Sequence, residues 1–375
     1  MNIGILKEQA PENRVALLPA ALRELFDLKA TVSIEEGAGK NAYADDGQYT
    51  EAGATVVSRD EIFKNTALIL KVNSPTIEEI KMLRPGQVIA GTLNPLSDHE
   101  LVTDMKKGGI TAFSLDAIPR ITRAQAMDVL SSMATVAGYR AVLEAAYNLP
   151  TFFPMFMSAA GTIKPAKLLV LGAGVAGLQT IATARKLGAV VEVFDVRAAV
   201  KEEVQSLGGK FIEVQGAIDD ASAGGYAVEQ TEEFKQKQSQ MIQDHAIKSD
   251  VVICTAQIPG RKAPVLIRKN TVENMKPGSI IIDLAASTGG NCEVTENDTT
   301  IVYNGVKIIG NSNYASGMPV DASRMYGKNL INFLKLIIDD EGNLNLNFED
   351  AVVKGACITH NSEIVNERVK AAMEG

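Results

Sequence analysis

The residues best suited to chemistry in this 375-residue chain lie between Lys167 and Arg197. The apolar run Leu168–Leu171 leads into Gly172-Ala173-Gly174-Val175-Ala176-Gly177, followed by Leu178-Gln179-Thr180-Ile181-Ala182. Strand, G-x-G-x-x-G turn and helix in that order suit a dinucleotide. Gly172 allows the tight turn, Gly174 lets the backbone approach a pyrophosphate, and Gly177 lets helix and strand pack closely. The helix start, with Val175 and Ala176, offers unpaired N–H groups and the positive end of a dipole to an anion. A second strand, Val190–Phe194, ends in Asp195, 18 residues past Gly177. A carboxylate there accepts from a ribose 2′-OH and repels a 2′-phosphate, so the spacing predicts NAD(H) rather than NADP(H). Val196 and Arg197 follow directly. Arg197 could accommodate a 2′-phosphate, but Asp195 at the strand end is expected to prevail. The plainer alternative is a glycine turn that serves packing alone.

The surrounding pattern supplies what positions such a turn. Strands are expected at Leu168–Leu171, Val190–Phe194, Lys210–Val214, Val251–Thr255, Ile280–Leu284 and Lys307–Gly310, with helical segments between them. An earlier series reads Asn2–Lys7, Thr31–Glu35, Ala67–Val72, Val88–Leu93 and Thr111–Leu115, with helices at Pro19–Leu28, Thr76–Leu83 and His99–Lys107. Strands apolar almost throughout, alternating with helices, predict parallel sheets covered on both faces. The fold class is therefore α/β, with two Rossmann-like doubly wound domains and a cleft between them. Long helical patterns around Ala124–Ala146 and Ser323–Ile337 read as connections. The C-terminal segment is expected to return to the first domain, giving 1–130 plus 320–375 and a nucleotide domain of 131–319. Between Gly216 and Gln240 the pattern fails. The polar, small-residue stretch around Gly224-Gly225-Tyr226 reads equally as a solvated excursion or as a lid.

Composition narrows the partners. Lys plus Arg is 37 and Asp plus Glu is 45, a net charge of −8, which disfavours nucleic acid. Cys254, Cys292 and Cys357 are too few and scattered for a disulfide framework and read as reduced thiols. His99, His245 and His360 lack ligand spacing, so no metal site is expected. The start, Met1–Glu8, is too short an apolar run for a signal peptide and carries charge where the apolar region should be, and no run approaches a membrane span. The chain is expected to be cytoplasmic, with no direct membrane insertion.

Several segments together resemble the alanine dehydrogenase/pyridine nucleotide transhydrogenase family. They are Gly4–Glu8, Glu12–Pro19, Leu70–Val72, Ala256–Gly260 with Gln257 as a cofactor contact, Met275–Ser279 and Asp283–Cys292. The resemblance spans nearly the whole chain. Two branches compete: alanine dehydrogenases, which aminate pyruvate, and the NAD(H)-binding component of proton-translocating transhydrogenase. Pro119–Ser132 resembles the latter's loop of Arg, Gln, Asp and Ser, which map onto Arg120, Gln125, Asp128 and Ser131. The insertion with Gly225 and Tyr226 is similar to its mobile loop. Alanine dehydrogenases carry a His where this chain has Thr92-Leu93-Asn94 and an Asp where it has Ser287. Their substrate-binding Arg and Lys do have counterparts, Arg14 and Lys71. The turn Asn313-Tyr314-Ala315-Ser316 departs from the branch, which usually has a nearby Pro.

On this resemblance, the chain passes hydride between its own NAD(H) and NADP(H) held by a partner beta subunit. A separate, membrane-spanning portion of the alpha subunit would complete the complex. The chain ends before any span, like the split form, and would be a homodimer peripheral on the cytoplasmic side of the inner membrane. The resemblance casts Gln125 as a hydrogen-bonding partner of nicotinamide riboses and Arg120 as the holder of the carboxamide. Asp128 and Ser131 would order the loop and the ribose hydroxyls. Without the resemblance, Arg120–Asp128 reads as a polar helix start, with Asp128 paired to Arg123 or Arg120. The competing functions are a self-sufficient amino-acid dehydrogenase and a non-enzymatic NAD(H)-binding module.

Overall fold

The computed structural model describes residues 1–213, 232–258 and 260–374. It divides into two compact units, Met1–Met133 with Ala315–Gly375, and Ala134–Tyr314.

Among the described residues, the first unit holds an eight-stranded sheet. Its strands are β1 (Asn2–Ile5), β2 (Thr31–Glu35), β3 (Thr55–Val57), β4 (Leu68–Leu70), β5 (Val88–Gly91), β6 (Thr111–Ser114), β16 (Cys357–His360) and β17 (Glu363–Ile364). The order is β17-β16-β6-β5-β4-β1-β2-β3. β1 to β6 pair in parallel, in the doubly wound order 3-2-1-4-5-6. The C-terminal β16 and β17 add antiparallel to the β6 edge. The strand interiors are buried, as expected where helices cover both faces. The Pro319–Ile337 helix packs its apolar face into this core, where Phe333 meets Phe113 at 5.3 Å.

The second unit repeats the plan. Its strands are β9 (Lys167–Leu171), β10 (Val190–Phe194), β11 (Lys210–Phe211), β12 (Val251–Cys254), β13 (Ile280–Asp283), β14 (Thr300–Tyr303) and β15 (Val306–Ile309), ordered β11-β10-β9-β12-β13-β15-β14. All but β14 are parallel, and β9 is the strand at which the order reverses. A separate antiparallel hairpin pairs β7 (Phe156–Ser158) with β8 (Gly161–Ile163).

Four expectations need correction. Pro19–Leu28 is a 3-10 turn, Pro19–Ala21, followed by a short helix, Arg23–Asp27. The helix expected from Ala124 starts at Val129, because Asp128 leaves the helical conformation (ψ 90°) and accepts from the Ser131 N–H at 2.8 Å, as an N-cap does. Glu232–Gln240 is helical, belonging to Glu232–Ile247, although the sequence pattern fails there. The strand expected at Lys210–Val214 covers only Lys210–Phe211; Val214 lies outside the described residues.

Candidate functional site

In a doubly wound sheet, ligands bind beyond the carboxyl ends of the strands where the order reverses. Here that place is the turn after β9. Gly172 has φ +103°, open to glycine at little cost, and a Cβ on it would stand 2.5 Å from Thr255 Oγ1. A Cβ on Gly177 would lie 1.9 Å from the Gly172 carbonyl oxygen, so only glycine lets the Val175–Lys186 helix sit this close to its strand. A Cβ on Gly174 would meet nothing within 4 Å. Gly174 is the N-cap of that 12-residue helix, and no side chain caps it. Gly174 and Val175 are exposed and Ala176 is partly so, which leaves the helix's first N–H groups accessible to an anion. These features fit a pyrophosphate.

Asp195 stands at the end of β10 beside this turn. Its Oδ2 accepts from the Ala173 N–H at 2.7 Å, so the acid braces the glycine turn directly. Arg197 closes over it: Oδ1 accepts from the Arg197 backbone N–H at 2.8 Å and from Nε at 2.9 Å, and the second guanidinium nitrogen reaches Oδ2 at 2.9 Å. Val196 between them is exposed.

Two further loops meet at the same sheet edge. Thr255 Oγ1 donates toward the Leu171 and Gly172 carbonyls, tying the end of β12 to the glycine turn. Asp283, fully buried at the end of β13, accepts from the N–H groups of Ala285, Asn291 and Cys292 and from Thr295 Oγ1, all within 2.7–3.0 Å. Asn291 then holds the other loop, accepting from Ala256 N–H and donating to the Ala256 and Pro264 carbonyls. The sequence marks Asp283 and Asn291 only through a resemblance. The available signal is an acid closing the wholly apolar run Ile280–Ile282, where it must be buried and must find donors. Gln257 is exposed, and its amide nitrogen donates to the Leu284 carbonyl at 2.8 Å.

In the first unit, Arg120 and Gln125 are both exposed. Gln125 sits in the 3-10 run Thr122–Met127, between buried Ala124 and Met127. Six residues is long for this weakly bonded conformation, and neighbouring elements hold it. Asn329 and Asn332 both donate to the Ala126 carbonyl, and Arg123 makes a bidentate pair with Asp350. Asp128 is occupied by Ser131, through its N–H and its hydroxyl at 2.6 Å, so the alternative in which Asp128 pairs with Arg123 is not what forms.

The same unit buries a charged cluster beyond β1 and β4. Lys71, 1% exposed, donates to both Glu79 oxygens at 2.8 and 2.9 Å. Arg59 also reaches Glu79, at 2.6 Å. Arg14 forms a bidentate pair with Glu12. Burial works against the Glu12 charge, but Arg14 outweighs it and holds that carboxyl below its ordinary range. Glu8 accepts from the Val72 N–H, and burial pushes it up to about 7 despite Lys71 nearby. Arg14 and Lys71 thus each lie against a carboxylate of their own chain. Asn94 adopts a left-handed conformation (φ +50°), and Ser287 lies in the 3-10 turn Ala286–Thr288.

Gly225 and Tyr226 lie outside the described residues. Among those described, no three His, Cys, Asp or Glu side chains converge as a metal site requires, and no helix is long and apolar enough to cross a membrane. The three cysteines are free and buried.

Comparison with known proteins agrees with this architecture. Residues 4–137 match the family model "Alanine dehydrogenase/PNT, N-terminal domain", and residues 141–367 match its C-terminal counterpart. The chain is 46% identical over 376 residues to a Rhodospirillum rubrum protein named as the first portion of NAD(P) transhydrogenase subunit alpha, covering 98% of each. A solved transhydrogenase structure from Sinorhizobium meliloti superposes with a TM-score of 0.89 at 43% identity, over 97% of this chain and 100% of that one. An alanine dehydrogenase from Mycolicibacterium smegmatis is 26% identical over 98% of this chain and 96% of its own length.

Proposed function

Because the chain belongs to the alanine dehydrogenase/PNT family, we propose that it is the NAD(H)-binding subunit of a proton-translocating transhydrogenase. In this reading it exchanges hydride between NAD(H) bound here and NADP(H) on a partner subunit, and membrane-spanning subunits couple the exchange to proton movement. The observation that carries the proposal is the open helix N-terminus at Gly174 with Asp195 braced against the same turn. The higher identity to the transhydrogenase subunit than to the alanine dehydrogenase supports this branch. So do Asn94 and Ser287, which on the resemblance stand where alanine dehydrogenases carry a His and an Asp, leaving amino-acid chemistry without its proton donor.

The two nicotinamides, when bound, would supply the chemistry, a hydride passing from NADH to NADP+ to leave NAD+ and NADPH. The chain's own residues bind and orient. Gly172–Gly177 holds the pyrophosphate and Asp195 the adenosine ribose. Gln257 contacts the cofactor. Arg120 fixes the carboxamide, and Gln125 hydrogen-bonds the nicotinamide ribose. Asp128 and Ser131, bonded to each other, keep that loop in shape. The subunit works as a homodimer, peripheral to the membrane on the cytoplasmic side through its partners.

The test mixes the purified chain with an NADP(H)-binding partner, NADH and an acetylpyridine analogue of NAD. In parallel, pyruvate and ammonia are offered to the chain alone. Transfer only with the partner supports the proposal, whereas NADH oxidation with pyruvate would make it an amino-acid dehydrogenase. Gln125→Asn is expected to leave NADH affinity nearly unchanged and slow transfer by about 100-fold, the scale of an ångström of misalignment. Near-normal turnover would remove Gln125 from this role.

A further inference from the structure

A carboxylate offers about four acceptor positions, two on each oxygen. At Asp195 all four are filled from within the chain. Two go to backbone N–H groups, Ala173 on Oδ2 and Arg197 on Oδ1. The other two go to the Arg197 guanidinium, Nε on Oδ1 and a terminal nitrogen on Oδ2. The Asp195 side chain is only 6% exposed, and that of Arg197 is 31% exposed. The backbone donors are fixed by the turn, so a ligand hydroxyl can reach the acid only where the guanidinium now sits.

We infer that Arg197 is an internal competitor for the adenosine ribose, occupying the two acceptor positions that a ribose diol needs. This rests on the proposed NAD(H) site. A guanidinium edge and a vicinal diol are both two-pronged donors, so they exclude each other on one carboxylate. Seating the ribose requires the flexible arginine side chain to swing away. Glu203, exposed in the short Lys201–Ser206 helix that follows and already acting on the guanidinium electrostatically, gives the cation a second resting place.

The competition has opposite consequences for the two dinucleotides. It weakens NADH binding, because a charge-assisted pair must break first. It helps NADPH, because the cation offsets the repulsion between Asp195 and a 2′-phosphate. Arg197 therefore sets both a moderate NADH affinity and a narrower selectivity than Asp195 alone would give. A moderate affinity suits a subunit that must release its nucleotide at every turnover.

Calorimetric titration of the full chain with NADH and with NADPH tests this. Arg197→Ala is expected to bind NADH about 3- to 10-fold more tightly and NADPH more weakly by a similar factor, the scale of one charge-assisted pair. NADH affinity that is unchanged or reduced would overturn the inference, since Arg197 would then coexist with the ribose or touch it. Thermal melting checks the fold, and Arg197→Gln, neutral and too short to bridge both Asp195 oxygens, carries the same test should the alanine variant not fold. In the unaltered chain, the NMR signal of the Arg197 Nε–H is expected to move when NADH is added; a signal that stays put would also overturn it. Failure of the unaltered chain to bind NADH at all would sink the proposed function instead.

Discussion

Glu8 is a carboxyl group for which burial wins over charge pairing. Lys71 approaches it at 3.9 Å but spends its short hydrogen bonds on Glu79, and Glu12 nearby repels. The N–H groups of Val72 and Asn73 and the Lys71 ammonium favour its charged form, but not enough to offset desolvation. Glu8 therefore binds a proton more tightly in the folded chain than in the unfolded chain. The stability this contributes is fully present below pH ~4.5 and is lost as pH rises through about 7. The loss is on the order of 3 kcal/mol. Urea unfolding at a series of pH values is expected to show that decline in the unaltered chain and a flatter profile in Glu8→Gln, whose amide still accepts from Val72. Parallel profiles for the two would remove the buried proton. At this scale the sequence reveals Asp195 and the glycine turn, because their types and spacing are set by local geometry. It does not reveal that Arg197, two residues on, folds its side chain back over Asp195, because the backbone conformation of that turn decides it, nor that Arg123 takes Asp350 227 residues away, a partner chosen by tertiary packing.

Among the elements, the long apolar strands are legible: Thr31–Glu35 and Val190–Phe194 lie where their patterns place them. What escapes the pattern is short or antiparallel. Thr55–Val57 has three residues, and β14, β16 and β17 lie at or next to sheet edges. The hairpin of β7 and β8 gives no alternating pattern, because both strands are exposed. A two-stranded sheet alone is marginal in water. This one also carries Met157 at 70% exposure, Met155 at 61%, and a stacked Phe152–Phe156 pair at 5.0 Å. Clustered apolar exposure of this kind is what an interaction surface presents, and the homodimer proposed above would cover it. Replacing Phe156 and Met157 by Ser is expected to convert a dimer into a monomer in sedimentation equilibrium while leaving NADH binding unchanged. A double variant that remains dimeric would place the interface elsewhere.

For the molecule as a whole, the proposal divides labour between two units built on the same doubly wound plan. One binds the dinucleotide on a glycine turn. The other presents Gln125 from a 3-10 run held by Asn329, Asn332 and the Arg123–Asp350 pair, and keeps Arg14 and Lys71 paired to its own glutamates. Neither unit needs an acid, a base or a nucleophile if two nicotinamides do the chemistry. The most direct measurement is isotopic. NADH deuterated at the transferable C4 position is mixed with the chain, an NADP(H)-binding partner and NADP+, and the products are analysed by mass spectrometry. Deuterium retained in NADPH, and only when both proteins are present, is the expected result. Deuterium lost to water, or found in alanine formed from pyruvate and ammonia by the chain alone, would contradict direct exchange between two coenzymes.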